Sequence, residues 1–119
     1  NYGTNYRAIR YADVLLMAAE AQNRGGLSDA KAQQYLNQVR RRALGSSVQP
    51  ITATGSALTE LIWAERHLEL AMEGHRFFDL VRTKKAASQI NGFVTGKHEV
   101  FPIPQQEIDI SQLAQNPGY

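Results

Sequence analysis

The sequence contains no cysteine. That excludes disulfide staples, thiolate zinc sites and cysteine nucleophiles, and it leaves the redox compartment open. Long apolar runs are missing as well, with no stretch approaching the ~18 residues of a membrane-spanning helix. Charge of one sign is nowhere in large excess. The net charge is +2, with seven Lys/Arg against three Asp/Glu in residues 1–50 and six against eight in residues 51–119. Nucleic-acid binding ordinarily needs a much larger basic stripe. No Gly-rich phosphate loop, GxGxxG turn, GxSxG elbow or HExxH pair occurs, so no cofactor and no metal is expected. The opening, NYGTNYRAIRY, has neither an initiator Met nor the apolar core of a signal peptide. The chain is therefore expected to be a piece of a longer protein whose targeting signals lie upstream.

What is present is ordinary globular composition: 119 residues, 43% apolar and 20% charged. A chain of that size buries somewhat under ~70% of its unfolded surface, enough for one core. Tyr11, Val14, Leu15, Ala18 and Ala19 recur at helical spacing, and Leu16 and Met17 widen the stripe. A helix apolar over so much of its circumference should be sandwiched between neighbours. Gly25-Gly26 should end it. Ser28 is a good N-cap for a second helix to about Leu44, with Asp29 suited to the positive end of its dipole and Gly45 as its stop. Its expected inner face is Ala32, Leu36, Val39 and Ala43. Two helices joined by so short a link pack as an antiparallel hairpin.

SSVQPITATGS reads as loop. A third helix begins near Ser56 to Thr59, with Leu61, Leu68 and Met72 on one face, and Gly74 marks either a kink or a break before Phe77, Leu80 and Val81. Periodicity fades beyond Lys85. FPIP enforces extended backbone, Pro104 can open a short helix PQQEIDIS, and QNPGY is turn chemistry. The class is all-α: an antiparallel hairpin, a long kinked helix and an irregular C-terminal tail in a single domain, 1–119. Only Glu99 to Phe101 offers a candidate strand.

Chemistry-bearing residues concentrate between Glu65 and Arg82. Glu73, Arg76, Asp79 and Arg82 alternate in sign at i, i+3, and Arg66 stands three residues before Glu69, spacings that bring opposite charges together on a helix. Glu69 or Glu73 could act in a carboxylate-based glycosidase. A partly buried ion-pair network fixing helix packing is the favoured reading. His67 and His75 invite a metal reading, and His75 with Asp79 has i, i+4 spacing, yet no further ligand pair accompanies them. Phe77 and Phe78 read as core. Trp63, beside the apolar face, is the aromatic left as a candidate sugar contact, second to a place in the core. Arg40, Arg41 and Arg42 could grip an anion but spread around the helix, so a solvated surface is preferred.

Four ordered segments, IRYADVLLMAAEAQNR at 9–24, YLNQVRRRA at 35–43, ERHLELAMEGHRFFDLVR at 65–82, and FPIPQQEI at 101–108 with QNPGY at 115–119, resemble the C-terminal part of the SusD/RagB family. Ala18 departs from a frequent aromatic of that family, and Phe77-Phe78 from an aromatic pair that usually includes Trp. The resemblance implies a tetratricopeptide-like helical protein, several-fold longer than this chain and not an enzyme. It implies an N-terminal lipid on the outer face of a Bacteroidetes-type outer membrane. It also implies a glycan or peptide nutrient as ligand and a SusC-like TonB-dependent transporter as partner. Glu65, Arg66, Glu69, Glu73, Gly74, His75, Arg76 and Asp79 carry over as motif positions belonging to the packing architecture, with the ligand held mostly by earlier segments. The alternative is a free-standing tetratricopeptide-like interaction module built on the hairpin at 8–44.

Overall fold

In the computed structural model the described residues are Gly3 and 8–119, so the other opening residues lie outside this description. The described residues form six helices and no strand: α1 Tyr11–Arg24, α2 Asp29–Leu44, α3 Gly55–Glu69, α4 Arg76–Arg82, α5 Ala86–Gln89 and α6 Gln105–Ser111. They divide into two compact units, Asn1–Arg76 and Phe77–Tyr119.

In the first unit α1 packs against both α2 and α3. The core is Leu15, Leu16 and Ala19 from α1, Ala32, Leu36 and Val39 from α2, and Leu58 and Ile62 from α3, with Ala12, Tyr35, Ile51 and Ala53 around it. Leu16, Leu36, Leu58 and Ile62 are wholly buried, and truncating such a side chain to alanine costs ~2–5 kcal/mol. Gly25-Gly26 closes α1 as expected. Gly26 takes φ 65°, while a Cβ on Gly25 would stand 2.6 Å from the carbonyl oxygen of Ala21. The amide of Leu27 then reaches back to the carbonyl of Gln22 at 3.0 Å, the hydrogen bond that satisfies a terminal carbonyl in a left-handed helix ending. Ser28 caps α2 by accepting from the Lys31 amide at 3.2 Å.

Several expected faces are corrected. Tyr11 and Val14 are exposed although they belong to the predicted stripe of α1; a helix apolar on every side satisfies more than one helical register, and the tertiary contacts select Leu15, Leu16 and Ala19. Ala43 is exposed, because the buried face of α2 ends at Val39. On α3 the expected Leu61 and Leu68 face outward, Met72 is exposed beyond its end, and the inner face is Leu58, Ile62, Glu65 and Arg66. Apolar content misassigned that face because the inward side carries charge.

At Gly74 the structure shows a break. α3 ends at Glu69, Met72 and Gly74 both take positive φ, 67° and 82°, and α4 starts at Arg76. A residue in the left-handed region cannot propagate a right-handed helix.

In the second unit Leu80 and Ala86 are buried, and Phe77 lies 5.7, 6.5 and 6.0 Å from the rings of Phe78, Phe93 and Phe101. Phe78, expected in the core, is 65% exposed. Consecutive helical residues point about 100° apart, so Phe77, which shares its side with Leu80, places Phe78 outward. Pro104 is the cap before α6 rather than its first residue, a position where a missing N–H is equally harmless. The tail folds back on FPIP. Gln115 accepts from the Ile103 amide at 2.8 Å and donates to its carbonyl at 2.9 Å. Asn116 donates to the Phe101 carbonyl at 2.7 Å, and the Tyr119 hydroxyl to that of Val100 at 3.0 Å.

Candidate functional site

The charged residues of the first unit converge on the faces where α3 meets α1 and α2. Arg10, the N-cap residue of α1, anchors one end. Its Nε donates to both carboxylate oxygens of Glu73 at 3.1 and 2.9 Å, its Nη1 to Glu69 Oε1 at 2.9 Å, and its Nη2 to the carbonyl of Glu69 at 2.8 Å and to Glu73 at 2.7 Å. One guanidinium thus bridges two carboxylates and caps a carbonyl left over at the C-terminus of α3. Hydrogen bonds to Glu73 first and Glu69 second raise Arg10 above the ordinary arginine value, and Arg10 in turn lowers Glu73.

Further along, Arg66 Nη1 donates to Asp13 Oδ1 at 2.7 Å, with the two side chains only 6% and 8% exposed. Arg40 Nη1 reaches Glu65 at 3.1 Å, and Arg42 pairs with Glu69. The expected network is therefore present but wired differently. Its pairs run between helices. Arg66 binds Asp13 on α1, and Glu73 and Arg76 stand on either side of the break, outside any one helix. Asp79 with Arg82, at 2.7 Å, keeps the expected i, i+3 geometry. Of the arginine run, Arg41 and Arg42 are exposed as expected, with Arg42 also paired to Glu69, whereas Arg40 is corrected from solvated to partly buried and paired.

A second polar node joins the helix ends. Asn23, buried on α1, donates to Asp29 at 2.7 Å and to the Gly55 carbonyl at 3.0 Å. Asp29 accepts from the Gly55 amide at 2.7 Å, the first residue of α3. These bonds from Asn23 first and Gly55 second lower the Asp29 carboxyl below its ordinary value. On α2, Asn37 exchanges bonds of 2.9 and 2.8 Å with the carbonyl and amide of Ile51. Gln33 donates to Ala53 at 2.9 Å. Sequence reasoning missed Arg10, Asp13, Asn23 and Asn37. The available signal was a polar residue on an otherwise apolar face: Asp13, Leu16, Glu20 and Asn23 follow at intervals of three and four, and all are buried.

The chemistry of this arrangement is fixation. A general acid needs a raised carboxyl pKa, and Glu73 is displaced the other way. Glu65 and Glu69 are each held by arginine. No group of three or more His, Asp or Glu suited to a metal occurs among the described residues. His67 is exposed, and His75 lies ahead of α4, outside the helical frame that its spacing with Asp79 assumed. Trp63 is half-buried, with the Arg24 guanidinium 5.5 Å from its ring centre. An open cleft of about 570 Å³ beside α2 is lined by Gln34, Asn37, Gln38, Arg41, Arg42 and Pro50, with no carboxylate.

Comparison with known proteins completes the picture. The family model for the SusD family (SusD_RagB) matches residues 1–119. The chain is 36% identical to SusD-like protein P2 of Formosa agariphila over 98% of its own length and 26% of that protein's. With SusD-like protein P38 of the same organism it shares 36% identity over 98% of its length and 25% of the relative's. It thus spans about a quarter of the curated relatives it matches. A crystal structure of a SusD homolog from Bacteroides thetaiotaomicron superposes with a TM-score of 0.80 at 35% identity, over 92% of this chain and 25% of that one. A second SusD homolog from the same organism gives 0.77 at 35% identity. The four ordered motifs, the helical architecture and these matches agree: the chain belongs to the SusD family.

Proposed function

We propose that this chain is a helical segment of a cell-surface nutrient-binding protein that takes up glycan and passes it to a SusC-like TonB-dependent transporter in the outer membrane. The observation carrying this reading is the family match over residues 1–119. The geometry supports a particular share of the work. Glu65, Arg66, Glu69 and Glu73, the charged heart of the motif, are occupied by Arg40, Asp13, Arg10 and Arg42. Side chains so engaged hold helices in register and have little capacity left for a sugar hydroxyl. The segment acts as scaffold, and glycan is held by the rest of the protein without being cleaved.

The test uses the intact protein. Calorimetry against a panel of neutral and acidic oligosaccharides should find a ligand, and affinity purification from membranes should recover a TonB-dependent transporter. Trp63→Ala should leave the Kd within two-fold, because the ring serves Arg24 and the core in this reading. Absence of any saccharide or peptide binding, together with absence of the transporter, would refute the proposal. A Kd raised ten-fold by Trp63→Ala would move the binding site into this segment.

A further inference from the structure

The ion-pair network explains only part of the arginine run at the end of α2. Arg10, Arg40 and Arg42 meet Glu65, Glu69 and Glu73, three cations for three carboxylates. Arg41 stands outside that balance: it is exposed, and it lines the open cleft of about 570 Å³ beside α2, whose lining holds no Asp or Glu. A cation in the last turn of a helix complements the dipole, but that role gathers no further donors. Here Gln34, Gln38 and Arg41 follow at intervals of four and three, so one flank of α2 carries two amides and a guanidinium in line. Arg42 joins them. Glu69 accepts from its Nη2 while the side chain stays 61% exposed, so the carboxylate orients the guanidinium and leaves other N–H groups to donate. The opposite wall, at Pro50, belongs to the loop after α2, and that loop is pinned. Asn37 exchanges bonds of 2.9 and 2.8 Å with the carbonyl and amide of Ile51, and Gln33 donates to the carbonyls of Thr52 and Ala53 at 3.2 and 2.9 Å. A cleft held in this way needs little ordering when a ligand arrives.

We infer that this cleft binds an oxyanion ester, a phosphate or sulfate group carried on a small hydroxylated body, with Arg41 and Arg42 on the anion and Gln34 and Gln38 on the hydroxyls. The planar guanidinium offers paired N–H donors to such a group and keeps its charge at any physiological pH. Amide side chains both donate and accept, as a hydroxyl partner requires. The volume argues for the body as well as the anion. A bare ion would leave most of the 570 Å³ to water, whereas pockets of ~300–1,000 Å³ take whole small molecules. With no carboxylate in the lining, nothing there repels the incoming charge. The inference invokes neither the delivered nutrient nor the transporter, so it stands or falls separately from the delivery role.

Calorimetric titration of the intact protein tests it, with glucose 6-phosphate and glucose 6-sulfate as the ester probes and glucose and inorganic phosphate as their parts. At least one ester should bind about ten-fold more tightly than either part, and the tighter ester identifies the anion. Arg41→Gln removes the uncompensated charge, and Gln38→Glu sets a carboxylate inside the lining. Both positions are exposed, so far-UV CD should be unchanged while each variant weakens the ester about ten-fold or more. Lys31→Gln makes the same charge change as Arg41→Gln on an exposed part of α2 outside the cleft, and it should leave the Kd within two-fold. Failure of both esters to bind would overturn the inference, as would glucose or inorganic phosphate matching them. So would ester binding that Arg41→Gln and Gln38→Glu leave within two-fold, which places the ester at another site. A loss with Lys31→Gln equal to that with Arg41→Gln would also overturn it, because a diffuse positive field would then account for the binding.

Discussion

The pair formed by Asp13 and Arg66 offers the sharpest test of how this fold is held together. Both side chains are almost wholly out of solvent, and the donor and acceptor are 2.7 Å apart. Asp13→Ala therefore removes a buried carboxylate from the Arg66 guanidinium at the α1–α3 contact. Breaking a buried pair by removing one partner costs about 3–5 kcal/mol, against ~1 kcal/mol or less for a solvent-exposed pair. Since a domain is stable by only ~5–15 kcal/mol, the single change should remove at least about a fifth of the total. Urea unfolding followed by helical CD should show the midpoint falling with little change in slope. The thermal midpoint should fall by roughly 4 °C for each kcal/mol. The decisive variant is the double replacement Asp13→Leu with Arg66→Met, which removes both charges while keeping volume. It should recover most of the loss, because well-packed apolar residues often match or exceed a buried pair. A loss under ~1 kcal/mol for Asp13→Ala would show that water reaches the pair and that the network is ornamental. A double variant as weak as the single one would show that packing, and not the broken ion pair, set the cost.

Acid should destabilise the chain in a defined direction. Asp29 and Glu73 both have folded values below their ordinary 3.8 and 4.5, so the folded state binds fewer protons than the unfolded one. Their contribution is complete above about pH 5 and fades as pH falls through the folded values. Asp29→Asn and Arg10→Gln should each flatten the acid limb of a stability–pH curve, and an unchanged slope would contradict the bonding described. Gly26→Ala should cost ~1–2 kcal/mol, from the left-handed backbone that it enforces on a residue with a Cβ, measurable by denaturation. Gln115→Ala should leave the peptide groups of Ile103 unpartnered and cost ~1–3 kcal/mol locally. Amide exchange should accelerate ten-fold at Ile103 while α1 to α3 remain protected.

How far these features could be read from sequence depends on the kind of interaction. The ends of α1 and α2 were legible because Gly25-Gly26 and Ser28 act within one turn of chain. Family membership was legible because the motifs keep their order. The inner face of α3 was not, since Glu65 and Arg66 face inward only because Arg40 and Asp13 await them, 25 and 53 residues away. The same holds for Arg10, which joins two carboxylates 59 and 63 residues distant. Its partners could not be found in any local window. Phe78 was placed inside on hydrophobicity alone, and a helix as short as α4 has too few turns to show which side is buried.

The tail of the second unit carries a consequence for solubility. Val100 to Ile103 is an apolar, extended stretch, the kind of backbone onto which another unfolded chain can zip as an added β-strand. Here the complementary edge is already supplied by side chains: an amide, a second amide and a phenol take the peptide groups that a stranger would otherwise use. Because Gln115, Asn116 and Tyr119 supply these bonds, that protection depends on three side chains 12, 15 and 19 residues further along. A variant lacking those three side chains would keep its helices and yet expose an adhesive edge.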